Sequence, residues 1–182
     1  MVSDVNQVQR VREILESLEL DDMPALGAMI EIPAAVTQIE DILRVSDFVN
    51  IGTNDLVQYT LAVDRDNDSV ADYFQTLHPA ILRSLRSVFD AAARAGKEAV
   101  VCGEMAGSPF YIPVLIGLGG RVFSMNPHKT EEIASIVAAV DSGVCTELAN
   151  QLLELSKPDD VEAKVNTFYK EYLNDLLNGF IN

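Results

Sequence analysis

The amino-acid sequence predicts an α/β protein built on a parallel β-sheet, and three observations lead there. Four short, mostly apolar runs occur: GAMIEIP (27–33), DFVNI (47–51), EAVVC (98–102) and RVFSMN (121–126). Each is followed by a stretch whose apolar residues recur at helical spacing, the pattern of strands joined by helical crossovers. The polar residues tied to these runs fall at the strands' C-terminal ends: Glu31, then Asn54 and Asp55, then Cys102, then Ser124 and Asn126. In a parallel α/β fold that rim is where ligands bind. From the residues alone, a doubly wound open sheet and part of a β/α barrel both fit, and four strands are too few to close a barrel of eight.

In chain order, residues 3–19 are expected to form a helix that Ser3 or Asp4 can cap, with Val5, Val8, Val11, Ile14, Leu15 and Leu18 on one face. GAMIEIP then suits a parallel strand buried on both faces. Pro33 opens a helix with Ala35, Ile39, Ile42 and Leu43 inward. After the strand at 47–51, Gly52 breaks the run, and a helix is expected from about Asp55. Residues 64–78 (DRDNDSVADYFQTLH) form the longest irregular segment, of a length more often functional than idle. A helix over 79–95 has Pro79 in its first turn and Gly96 as its stop. Helices at about 109–118, 129–140, 144–155 and 159–178 complete the chain. No repeat, low-complexity run or linker marks a second domain.

Apolar residues at 48% and charged residues at 23% describe an ordinary globular chain. The formal charge of −15 disfavours nucleic acid and anionic membranes, whose phosphates it would repel. Two cysteines without a pairing pattern fit a reducing cytoplasm. No apolar run is long enough to cross a bilayer, and the N-terminus has no signal-like core.

Glu31 and Asp55 are the natural metal pair, since two carboxylates on neighbouring strand ends leave a hard cation room for water and substrate oxygens, as Mg²⁺ prefers. The bland alternative is a buried Glu paired with an Arg, and an Asp capping a helix. Arg65 can act as a fork donor to a phosphate or carboxylate; from spacing alone, a surface pair with Asp64 or Asp66 is favoured. Cys102 ends a buried strand before Gly103, and reads equally as a small buried hydrophobe or as a tuned general acid or base. His78 and His128 read as caps or surface residues, and Cys145 as a buried helix residue.

Taken together, GAMIEIPAAV (27–36), DFVNIGTNDLVQYTLAVDR (47–65), LHPAILR (77–83), CGEMAG (102–107) and FSMN (123–126) resemble one family. It is the phosphoenolpyruvate-binding C-terminal domain of the phosphoenolpyruvate–protein phosphotransferases, the enzyme I proteins of sugar and nitrogen-regulatory phosphotransferase systems. The resemblance covers nearly the whole chain, and only loosely its closing helices. It implies the C-terminal half of a (β/α)8 TIM-type barrel with extra C-terminal helices, the early barrel strands and the N-terminal His-bearing domain lying outside residues 1–182. It implies Mg²⁺ on Glu31 and Asp55, phosphate contacts from Asn54 and Arg65, and Cys102 as the acid that protonates the enolate to give pyruvate. A small phosphocarrier protein, reached through the N-terminal region, and a homodimer are the partners implied. The chain by itself is expected to be inactive. Asn50, Val57 and Ser108 stand where the family usually has Ser, Thr and Asp, which leaves the subfamily open. A non-catalytic binding or dimerisation module and a Mg²⁺-dependent barrel lyase or aldolase are the competing readings. The nineteen-residue motif and the Cys102 motif count against the lyase; retention of every ligand residue in this half counts against a mere scaffold.

Overall fold

A computed structural model of the chain describes residues 1–173. Helix α1 (Val5–Glu16) precedes strand β1 (Gly27–Ile30), and two short helices, α2 (Pro33–Thr37) and α3 (Ile39–Val45), lead to β2 (Phe48–Gly52). Helix α4 (Thr53–Leu61) follows without a break, and α5 (Pro79–Ala95) leads to β3 (Ala99–Cys102). Helix α6 (Ile112–Leu118) precedes β4 (Val122–Phe123), after which come α7 (Thr130–Ala139), α8 (Ser142–Glu154) and α9 (Pro158–Tyr172). The last part of the helix expected over 159–178 lies outside the described residues.

All four strands pair in parallel, in the order β1-β2-β3-β4. A doubly wound sheet reverses its order at a switch point, and a barrel does not. The unreversed order fits a barrel segment.

The expectation that the first strand is buried on both faces does not hold. Ala28, Ile30, Val49, Ile51 and Val101 are at most 2% exposed and share one core with Ile42, Leu56, Leu82, Leu85 and Leu115 of the helices. Their alternates Gly27, Met29, Phe48, Asn50, Val100 and Cys102 are only half-buried. Side chains alternate across a strand, so the helices cover one face, and the other, which would line a closed barrel, is left open. Burying each core Ile or Leu contributes about 1.5–3 kcal/mol, and that contribution comes almost wholly from the helix-covered face.

The helix signals act as their chemistry predicts. The Asp4 carboxylate accepts from the N–H groups of Asn6 and Gln7 at the start of α1 (2.9 and 3.3 Å). His78 Nδ1 accepts from Ala80 N–H (3.1 Å) to cap α5, and Gly96 ends that helix at φ 63°. The inward face expected for α1 is only partly realised. Val8 is buried, whereas Val11, Ile14 and Leu18 are 45%, 48% and 57% exposed. The helix docks on α3 through Val8 and through Arg12, which donates to Val45 O and Asp47 (2.9 Å each). The fourth strand shrinks to two residues, extended past Phe123 by the bond from Ser124 N–H to Val101 O (2.8 Å).

Candidate functional site at the C-terminal ends of the strands

Strand register brings three positions level. Ile30 pairs with Ile51, and Gly52 with Cys102, so Glu31, the residue after β1, falls in the row of Gly52 and Cys102. Gly52 lies between the other two and contributes no side chain. A Cβ there would stand 3.0 Å from Glu31 Cβ, 3.0 Å from Glu31 Oε2 and 3.3 Å from Met29 Sδ. Its φ of −80° is open to any residue, so close approach, not backbone conformation, demands glycine. The notch over Gly52 is where the Glu31 carboxylate lies.

That carboxylate is 13% exposed. Burial first, and the Asp55 carboxylate second, push its pKa above the ordinary value, while the Met1 ammonium 3.7 Å away opposes them. Asp55 comes from the first turn of α4, a helix that begins at Thr53, two residues earlier than expected. Two carboxylates held together against their repulsion make a donor set that fits a hard divalent cation, which offsets both charges. Among the described residues no group of three His, Cys, Asp or Glu side chains converges. The pair therefore offers two protein ligands at most, the partial coordination that Mg²⁺ accepts when substrate and water complete it.

The Cys102 thiol donates to Ile51 O (3.1 Å) and lies 3.8 Å from Met29 Sδ. Burial, and then the Glu31 carboxylate, push its pKa above 9.0. It is therefore a protonated thiol at neutral pH, equipped to give a proton and poorly suited to act as a thiolate nucleophile. Cys145, fully buried in α8, is pushed up to about 11, chiefly by burial. Iodoacetamide is accordingly expected to label Cys102 alone in the native chain, with a pH midpoint above that of an ordinary thiol, and both thiols after unfolding. Equal native labelling of the two, read by peptide mass, would contradict the burial of Cys145.

Asn54 sits beside Cys102 in a cleft of ≈ 520 Å³ that Glu104, Ser124, Asn126 and Lys129 also line. Asn54 Oδ1 accepts from Glu104 N–H (3.2 Å), which leaves its amide N–H₂ as a donor for a ligand. Among the described residues no side-chain hydrogen bond caps the start of α4. Arg65 stands apart from the lining. It is exposed in the loop after α4, its backbone N–H on Gln58 Oε1 (3.4 Å). Among the described residues its guanidinium forms no ion pair with Asp64 or Asp66, which instead build a turn through Asp66 N–H and Asp64 Oδ1 (3.0 Å). His128 donates its backbone N–H to Asn126 Oδ1.

The sequence gives Lys129 no role, and gives Thr53 only a place among the small polar residues of the turn after Gly52. Thr53 is 1% exposed and donates its hydroxyl to Cys102 O (2.9 Å). Lys129, paired with Glu132 at 3.0 Å, is the cation among the cleft's lining residues. Neither gives a sequence signal, because a Thr in a turn and a Lys before a helix are common.

The model for the PEP-binding domain of PEP-utilising enzymes matches residues 1–142. A phosphoenolpyruvate-protein phosphotransferase of Listeria monocytogenes is 37% identical over 180 residues, 94% of this chain and 32% of that protein. One from Cupriavidus necator is 44% identical over 138 residues, 76% of this chain and 24% of its own length. The chain thus spans about a quarter to a third of the relatives it matches. A citrate lyase crystal structure from Burkholderia xenovorans superposes with TM-score 0.52 at 14% identity, covering 94% of this chain and 62% of that one. That likeness is one of fold alone.

Proposed function

The chain belongs to the PEP-utilising enzyme family as its PEP-binding domain, and from that premise we propose that it is the phosphoenolpyruvate-binding catalytic portion of a phosphoenolpyruvate–protein phosphotransferase. One observation carries the reading. A repelling carboxylate pair and a protonated thiol stand at neighbouring strand ends, separated by the notch over Gly52. This is what cleavage of an enol phosphate needs: charge compensation for the departing phosphoryl group, and a proton source for the enolate left behind.

In the reaction proposed, the bond between the enol oxygen and phosphorus breaks and the phosphoryl group passes to a histidine of the complete protein. The enolate carbon takes the Cys102 proton to give pyruvate, and the thiolate recovers a proton from water. A divalent cation, Mg²⁺ in this proposal, supplies charge neutralisation at the phosphoryl and enolate oxygens when bound between Glu31 and Asp55. Asn54 donates its amide N–H₂ to the phosphate. Arg65, exposed in the loop after α4, is assigned to the phosphate on the family resemblance. A small phosphocarrier protein downstream and a homodimer of the complete protein belong to the same proposal.

The test uses the purified chain with Mn²⁺ as the spectroscopic cation. Phosphoenolpyruvate is expected to bind only with Mn²⁺ present, and no pyruvate is expected to form, since a phosphoryl-accepting histidine lies outside the part assigned here. Metal-independent binding, or pyruvate released by the chain alone, would overturn the assignment. Gly52→Ala, whose methyl would meet Glu31 Oε2 at 3.0 Å, is expected to weaken Mn²⁺ about tenfold, a change of about 1.4 kcal/mol.

A further inference from the structure

We infer that Thr53 is a positioning residue for Cys102, holding the thiol's strand end against the turn that carries Asn54 and Asp55. The reading rests on the role proposed above for Cys102. Hydroxyls near helix starts commonly bond to their own helix backbone. The Thr53 hydroxyl instead crosses to the Cys102 carbonyl, 49 positions on in the sequence, at 2.9 Å. Thr53 is buried at 1% exposure, so without that bond its hydroxyl would be left without a partner away from water.

Two further features interlock the same turns. Asn54 Oδ1 takes Glu104 N–H at 3.2 Å. Between the two bonds, Gly103 adopts φ 95°, ψ −170°, a conformation restricted to glycine. A Cβ on it would lie 2.5 Å from Thr53 Oγ1 and 3.1 Å from Asn54 Oδ1. The chain after Cys102 thus passes against Thr53 too closely for any other residue. With the backbone of Cys102 fixed from this side, the Ile51 carbonyl sets the direction of its thiol (3.1 Å). The position of the proton donor is therefore set by the turn that presents Asp55, and Thr53 is the link between them.

Thr53→Val keeps the shape and removes the donor; Thr53→Ser keeps the donor. The probe is iodoacetamide, acting on Cys102 while Cys145 stays buried. The valine chain is expected to alkylate about five- to tenfold faster than the parent, as the thiol leaves the Ile51 carbonyl, and the serine chain within about twofold of the parent, an expectation scaled from the loss of one buried hydrogen bond. Mn²⁺ affinity is expected to stay within about twofold in both, because Glu31 and Asp55 keep their places. In a phosphotransferase-length protein carrying these residues, valine should lower kcat about tenfold and leave KM for phosphoenolpyruvate unchanged, as misplacement of an acid does. An unchanged alkylation rate in Thr53→Val, or a serine chain as fast as the valine chain, overturns the inference. So does a Mn²⁺ affinity that falls in step with the thiol rate, which would make Thr53 a general support of the turn. Should the valine chain fail to fold, Thr53→Ala removes the same donor without adding an atom and is read identically. The thiol measurement uses neither metal nor substrate, so a failure of the proposed function leaves it standing as a separate result.

Discussion

Replacing Glu31 with glutamine is expected to weaken cation binding at least about a hundredfold and, without metal, to raise the melting temperature at pH 7. The loss follows from the donor set. One carboxylate of two disappears, and an amide oxygen is a weaker ligand for a hard cation, so Mn²⁺ affinity should fall by a factor of at least about 100, or about 2.7 kcal/mol. The gain follows from the sign of the pKa shift. Burial and Asp55 raise the folded-state value of Glu31 above 4.5, so the native state holds that proton to higher pH than the unfolded chain does. The stability this contributes is fully present below the unfolded value of 4.5 and is lost as pH rises through the raised folded value. As pH rises toward 7 the parent increasingly carries an ionised, disfavoured carboxylate, and glutamine mimics its protonated form. The Met1 ammonium offsets part of the effect, so a rise of about 1–3 °C is the expected scale. Thermal scans of parent and variant at pH 4.5 and 7, with EDTA, check it. The two curves should approach each other at the lower pH, and a gap of constant size would remove the electrostatic explanation.

The second large effect is expected from Cys102→Ala in a phosphotransferase-length protein. Removing a positioned general acid costs about 10²–10⁴ in rate, so pyruvate formation should fall by that order. Phosphoprotein formation, which needs the cation and the phosphate donors but not the thiol, should survive. Rapid-quench sampling of phosphoprotein and pyruvate separates the two steps, and parallel loss of both would assign Cys102 to binding. The raised thiol pKa adds a pH signature. Burial keeps the acid protonated to higher pH than an ordinary thiol, so pyruvate formation should show an alkaline limb that vanishes in the variant.

Much of this was legible from residue order. Pro79, Gly96 and Asp4 mark helix ends by local chemistry, because a missing N–H, a tolerated positive φ and a capping carboxylate act within one turn. The apolar runs located all four strands, and the polar residues after them fall together at one rim of the sheet. Burial of the sheet was misjudged for a physical reason. Met29, Phe48 and Val100 are as apolar as the covered residues, and composition cannot say whether anything packs on their face. The helix expected from Asp55 starts at Thr53 because Gly52 leads straight into it, and local propensity rarely fixes a boundary so closely.

What the sequence determined by itself was a parallel α/β fold with Glu31, Asn54, Asp55 and Cys102 at one rim, since periodicity and strand ends are local properties of the chain. The tertiary structure decided how those residues meet. Parallel register puts Gly52 between Glu31 and Cys102, and the notch it leaves is where the carboxylate lies. The Thr53 hydroxyl finds the Cys102 carbonyl only after two helices and a strand have been laid down in the chain. Such relations depend on which strands become neighbours and in what register, and that is settled by packing across the whole sheet, beyond the reach of any local pattern.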